Sequence, residues 1–138
     1  MSDREAGVAV VVWRRSPEVE VLLLHRSLFG AEYDQDWAWM TPGGGRRAGE
    51  HPQDAAEREL FEETGLALRC EPVILSADAV PADVDVAVFV AEAREDAEVR
   101  LSDEHDRYEW VRPEDLVRCL PAWVPATYIE ALDIVGLL

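Results

Sequence analysis

Four glutamates, Glu57, Glu59, Glu62 and Glu63, fall within about two helical turns of one segment, GGGRRAGEHPQDAAERELFEETGL, residues 43–66. On a helix, positions i, i+3 and i+4 share a face, so Glu59, Glu62 and Glu63 converge on one patch. Each like-charge pair costs a few tenths of a kcal/mol without a counter-ion, and neighbouring carboxylates raise one another's pKa. A hard divalent cation removes both penalties; Mg²⁺ takes oxygen ligands and bridges carboxylates to substrate phosphates, and Mn²⁺ has similar tastes. The competing reading is a solvated acidic face. Glu57 lies about 160° around the helix from Glu59 and is expected to be solvated.

The surroundings favour the cation. Gly43, Gly44 and Gly45 allow close backbone approach to a ligand and expose amide and carbonyl groups. Arg58, inside the acidic cluster, has the planar fork for a bidentate bond to Glu50, which would fix the preceding loop against the helix. Ala56 and Leu60 supply the apolar stripe that packs this helix on a sheet.

The elements that must position these residues follow from patterning. Residues 6–13 (AGVAVVVW) are continuously apolar and β-branched, which predicts a buried strand. Ser16-Pro17 marks a turn, and residues 19–25 (VEVLLLH) supply the hairpin partner. A loop leads to a short strand over 37–41, and Pro42 with the three glycines stops regular structure. The helix starts near Pro52, carries Asp54 in its first turn and stops at Gly65. Further strands are expected over 66–77, 83–93 and 107–111, with helices over 113–120 and 126–135. Strands interrupted by one helix and closed by another indicate an α/β sandwich with a mixed sheet. The 138 residues suit one domain, 1–138, with one core.

Composition narrows the partners. The formal net charge is −16, from 13 basic and 29 acidic residues. That argues against duplex nucleic acid and anionic membranes, which need a basic face. A small phosphorylated substrate stays open, because a metal can reverse the local field. The chain has no lysine, so neither a Schiff base nor a P-loop lysine is available. No apolar run is long enough to span a bilayer, and MSDREAG lacks the pattern of a signal peptide. Cys70 and Cys119 are far apart and lack metal-site spacing. These features predict a cytoplasmic protein; exposed strand edges are compatible with a homodimer.

Residues Gly44, Glu50, Arg58, Glu59, Leu60, Glu62, Glu63, Gly65 and Leu66 fill a signature without departure: G, five residues, E, seven residues, R-E-aliphatic-x-E-E-x-G-aliphatic. This resembles the Nudix box, and the strand order around it resembles the family over most of the chain. Arg47 departs from a glutamate often found just outside that core. The resemblance implies a Nudix-type α/β/α sandwich and hydrolysis of a nucleoside diphosphate linked to a further group X. It implies Glu59, Glu62 and Glu63 as metal ligands, with the Gly44 carbonyl a further one. Glu59 or Glu62 would orient or deprotonate water, while Glu50 and Arg58 would form the supporting pair.

Family members often take another acidic residue from a later loop, and LSDEHDRYEWV resembles that region. Glu104 is the first candidate for ligand or general base, ahead of Glu109 and His105. For substrate contacts, Phe29, Tyr33, Trp37 and Trp39 cluster before the glycines, and Trp37 and Trp39 could stack a base or belong to the core. Arg26, ending the second strand, could meet a phosphate or be an edge charge.

Subfamily cues favour a nucleoside triphosphate. The motif SQPWPFPxS of the pyridine-nucleotide class is absent, as is the glycine-loop lysine of many dinucleoside polyphosphate hydrolases. Pro81 lies near a proline common in ADP-ribose hydrolases, but the segment before the first strand is short for that group. WAWMTPGGG resembles the triphosphate group. ADP-ribose, nucleotide-sugar or dinucleoside polyphosphate hydrolysis is the alternative. A non-catalytic nucleotide sensor is a third reading, disfavoured because every carboxylate is kept. An EF-hand calcium loop lacks its ligand spacing here.

Overall fold

The computed structural model describes residues 7–138; Ala6, placed above in the first strand, lies outside them. Strand β1 (Gly7–Arg15) pairs antiparallel with β2 (Val19–Arg26) at Trp13–Val21, Arg14–Glu20 and Arg15–Val19. Beyond that register the two strands part. Strand β2 runs on beside β7 (His105–Val111) and β3 (Trp39–Met40), whereas β1 continues beside β4 (Gly43–Gly45). On its other side β1 pairs in parallel with β6 (Val86–Glu92), which pairs with β5 (Glu71–Pro72). These strands form one mixed sheet.

Both faces of the sheet are covered, which explains why β1 reads as a continuous apolar run instead of an alternating one. Val8, Val10, Val12, Leu22 and Leu24 pack with Ala55, Ala56 and Leu60 of helix α1 (Pro52–Thr64). The intervening Val11, Val21 and Leu23 pack with Leu116 of the one-turn helix α2 (Leu116–Cys119) and with Tyr128, Ala131 and Leu132 of α3 (Val124–Ile134). The result is an α/β/α sandwich. Among the described residues no helix is long and apolar enough to cross a membrane.

Several elements differ from the sequence reading. The glycines do not end regular structure; Gly43–Gly45 is a strand, because a Cβ on Gly43 would collide with the Val8 carbonyl and its absence lets the chain lie against β1. The strand expected over 37–41 shrinks to Trp39–Met40, since Trp37 takes a positive φ of 71°. Of residues 66–77 only Glu71–Pro72 is strand, followed by one bond from the Val73 N–H to the Val88 carbonyl of β6, and Pro72 brings no N–H to the sheet. Residues 113–120 divide into a 3-10 turn, Pro113–Asp115, followed by α2.

Candidate functional site

Helix α1 has well-made ends. The His51 ring accepts the Gln53 N–H at 3.2 Å, Pro52 occupies the first turn, and Gly65 closes the helix at φ 75° with its N–H on the Phe61 carbonyl. Leu60 and Ala56 face the sheet, and Glu63 falls on that same inward side, only 5% exposed. Glu62, one position earlier, points outward, with its side chain 47% exposed. Glu59 lies between the two, its side chain 14% exposed.

Arg58 organises the outer half of this group. Its Nε and Nη2 donate to Glu50 at 2.8 and 2.9 Å, a bidentate grip, and Nη2 also donates to the Gly45 carbonyl at 3.1 Å. Its Nη1 donates to Glu59 at 2.7 Å and Glu62 at 3.1 Å. The Arg58 bonds and the Arg47 N–H hold the Glu50 carboxyl down at about 2, and the Glu50 bond in turn raises the Arg58 pKa. Arg47 lies 3.6 Å from Glu62.

Glu63 has a different environment. Its carboxylate accepts the Gly43 N–H at 3.1 Å and has no basic partner among the described residues. Burial pushes its pKa up to about 8; the Gly43 bond opposes this, and the nearby Glu59 and Glu104 carboxylates reinforce it. A Cβ on Gly44 would meet the Glu59 carboxylate, which a larger residue there would have to displace. Glu104 comes from the turn before β7, where its carbonyl accepts the Ser27 N–H at 3.0 Å. Next to it, His105 is half-buried, its Nδ1 has no hydrogen-bond partner, and its pKa is lowered by burial.

The parting of β1 from β2 opens a cavity of about 630 Å³ beside this cluster. Gly43, Gly44, Glu63, Glu104, His105 and Arg26 contribute to its wall. The remainder is largely apolar and includes Leu28, Met40, Val84, Val86, Val88 and Trp123, with Tyr128. Trp37 and Trp39 lie outside that wall. The Trp39 ring packs edge-on to His25 at 5.0 Å and under the Arg107 guanidinium at 5.3 Å. Glu109 faces a separate shallow hollow with Arg118 and Cys119.

Three features had escaped the sequence reading. Trp123 and Tyr128 are the aromatic residues of the wall; Trp123, between Pro121 and Pro125 just before an apolar helix, was the available signal. Glu57 is not merely solvated, for it accepts the Cys70 N–H at 2.9 Å and ties the segment after α1 to the helix. His25 is fully buried, with Nδ1 against Asp106 at 2.7 Å and Nε2 against the Tyr33 carbonyl. It joins β2, the head of β7 and the connection ahead of β3.

The donor chemistry suits a hard divalent cation, being carboxylate and backbone oxygen throughout. Among the described residues, no group of three or more His, Cys, Asp or Glu side chains stands close enough to hold an ion. Arg58 Nη1 engages both Glu59 and Glu62. The fit rests on Glu63: burial and two neighbouring carboxylates disfavour its charged form, and a bound cation would restore it.

Fold and box together define a Nudix-type pyrophosphohydrolase. A NUDIX domain model matches residues 3–132, and the chain belongs to that family. It is 36% identical over 124 residues to an octanoyltransferase of Myxococcus xanthus, covering 86% of this chain but 33% of that protein. It is 31% identical over 134 residues to diphosphoinositol polyphosphate phosphohydrolase 3-alpha of Mus musculus, covering 93% of this chain and 77% of the other. The fold resembles that of a C. elegans Ap4A hydrolase, with a TM-score of 0.74, 23% identity, and coverage of 94% and 98% of the two chains.

Proposed function

We propose that the chain hydrolyses the pyrophosphate linkage of a nucleoside diphosphate joined to a group X, with Mg²⁺ or Mn²⁺ as cofactor. The observation that carries this reading is the complete glutamate box, whose Glu63 is buried at the wall of a cavity shared with Glu104 and mainly apolar residues. X is a larger group, as in a dinucleoside polyphosphate, ADP-ribose or a nucleotide sugar, in preference to the terminal phosphates of a triphosphate. The support is the 31% relative, whose name describes a diphosphate carried on a larger molecule. The octanoyltransferase lends no activity, since this chain spans a third of it.

Glu59, Glu62, Glu63 and the Gly44 carbonyl are the proposed metal ligands, with Glu104 an added ligand or the general base. Such a cation, when bound, supplies positive charge against the pyrophosphate and acidifies water. Glu59 or Glu62 orients the attacking water and takes up its proton. Glu50 holds Arg58, which limits where Glu59 and Glu62 can swing. Arg26 at the cavity wall meets a phosphate oxygen.

The test is a panel of dinucleoside polyphosphates, ADP-ribose, nucleotide sugars and canonical and oxidised triphosphates, with Mg²⁺ and product identification. Hydrolysis at a pyrophosphate linkage, lost on chelation, is expected. Preference for triphosphates over every conjugate would restore the other reading of X; no turnover of any compound would refute the proposal.

A further inference from the structure

Resting on that function, we propose that His25 is a positioning residue: it grips Asp106, pins a bulge in β7, and so aims the turn bearing Glu104 at the cavity. The register shows the bulge. Strands β2 and β7 pair as Leu22–Trp110, Leu23–Glu109, Leu24–Tyr108 and His25–Arg107, and an unbroken ladder would next set Arg26 opposite Asp106. Arg26 instead faces His105, so Asp106 is one residue in excess. Side chains alternate along a strand, so a one-residue slip exchanges the faces of everything beyond it. Closing the bulge would bring Asp106 beside Arg26 at the cavity wall. It would also turn His105 to the other face and draw Glu104 along by one position.

The extra residue is held by buried hydrogen bonds. The His25 ring is fully buried; its Nδ1 lies 2.7 Å from an Asp106 carboxylate oxygen, and Nε2 lies against the Tyr33 carbonyl. A carboxylate and a carbonyl only accept, so both ring nitrogens donate. Arg107 Nη1 donates to the same Asp106 oxygen at 3.2 Å and to the Ala31 carbonyl at 2.8 Å. Its 3.4 Å approach to His25 Nδ1 is a contact between two donors that share that oxygen. Asp106 and Arg107 thus face His25 together, two residues set against one. Without Asp106, Nδ1 would be a buried donor lacking its acceptor, and that penalty keeps the bulge in place.

The link to the chemistry is short. Glu104, two residues before Asp106, contributes to the cavity wall, and its carboxylate raises the pKa of Glu63. The far side of the turn is tied to Ser27, whose N–H donates to the Glu104 carbonyl at 3.0 Å and whose Oγ donates to the Asp103 carbonyl at 2.6 Å. The Glu104 backbone is therefore fixed from both sides, by Ser27 and by His25. Through Tyr33 the same ring also holds the connection ahead of β3, so one side chain braces both segments.

The experiment uses Mg²⁺ and the compound of the panel above that wild type turns over fastest. Asp106→Ala cuts the bond at its less buried end, where the side chain is 26% exposed, so the variant should fold. Its kcat should fall by about ten- to a hundredfold, with KM within about threefold of wild type. His25→Leu, assayed where it is fully folded, should show the same split. Glu104→Gln added to Asp106→Ala should cost far less than Glu104→Gln alone, because the two act through one carboxylate. Leu132→Ala, a destabilising change remote from the turn, should show no such coupling to Glu104→Gln. The proposal is overturned by an unchanged kcat in Asp106→Ala, by a loss confined to KM, or by losses that multiply in the double variant. An ineffective Glu104→Gln also overturns it. No turnover by wild type refutes the function and this inference together, whereas an active wild type with any of those four results refutes the inference alone.

Discussion

Helices α1 and α3 cover opposite faces of one sheet by different means. Helix α1 buries little large apolar surface, chiefly Leu60 with Ala55 and Ala56. It is tied down by polar bonds: Arg58 to Glu50, Glu57 to the Cys70 N–H and Gln53 to the Cys70 carbonyl. Helix α3 is held by Tyr128, Leu132, Ala131 and Val124, all nearly or fully buried. One helix carries charged groups that an apolar anchor could not replace; the other needs only bulk and shape. A site built between them inherits both properties, with replaceable walls on one side and irreplaceable carboxylates on the other.

The sharpest test of that contrast is Glu63→Gln. If Glu63 holds a metal, turnover should fall at least ~100-fold, while the amide keeps the bond from Gly43 and removes the titratable group. The folded pKa of about 8 lies above the ordinary 4.5, so folding favours the protonated acid. Its stabilising contribution is complete below about pH 4.5 and is lost as pH rises to about 8. Metal-free wild type should therefore melt at progressively lower temperature across that window, and Glu63→Gln should flatten the slope and melt higher at pH 8. Adding Mg²⁺ should stabilise wild type most at the alkaline end and the variant little. A variant that is both active and less stable would erase the distinction between the two helices.

Much of this contrast could be read in the sequence, unevenly. The box residues sit in one 23-residue stretch, 44–66, because glycine, glutamate and arginine are each needed for what their own atoms do. The α1 boundaries were equally accessible, from Pro52 and Gly65. The cavity wall was not, since Met40, Val86, Val88 and Trp123 are ordinary apolar residues until the splitting of β1 from β2 gathers them. Trp37 and Trp39 drew attention by lying near the glycines in the chain, but side chains two residues apart in one segment were a poor guide to a wall built from several. Glu57 is a related case: helical geometry gives its direction, not the Cys70 amide that waits there.

Leu132→Ala tests the apolar half. Leu132 is fully buried against the sheet, so truncation should cost about 2–5 kcal/mol, measured by denaturant unfolding. Under conditions where the variant is fully folded, kcat should stay within about threefold of wild type, because Leu132 does not line the cavity. A collapse of kcat in folded protein would mean that α3 positions the carboxylates too.

The smallest expected effect comes where the two halves touch. The Tyr128 hydroxyl, on α3, accepts the Thr41 hydroxyl at 2.9 Å just ahead of the glycine strand, and both residues are buried. Tyr128→Phe keeps the ring and removes that acceptor, so stability should drop by about 1 kcal/mol. If the bond only secures packing, kcat and KM stay near wild type and Thr41→Val in the same background adds little further loss. If it sets the position of Gly43 and Gly44 relative to Glu59 and Glu63, the metal concentration for half-maximal activity rises in Tyr128→Phe while KM for substrate does not. The packing outcome is the one expected, because β4 is already fixed by its pairing to β1 at Gly7, Val8 and Ala9.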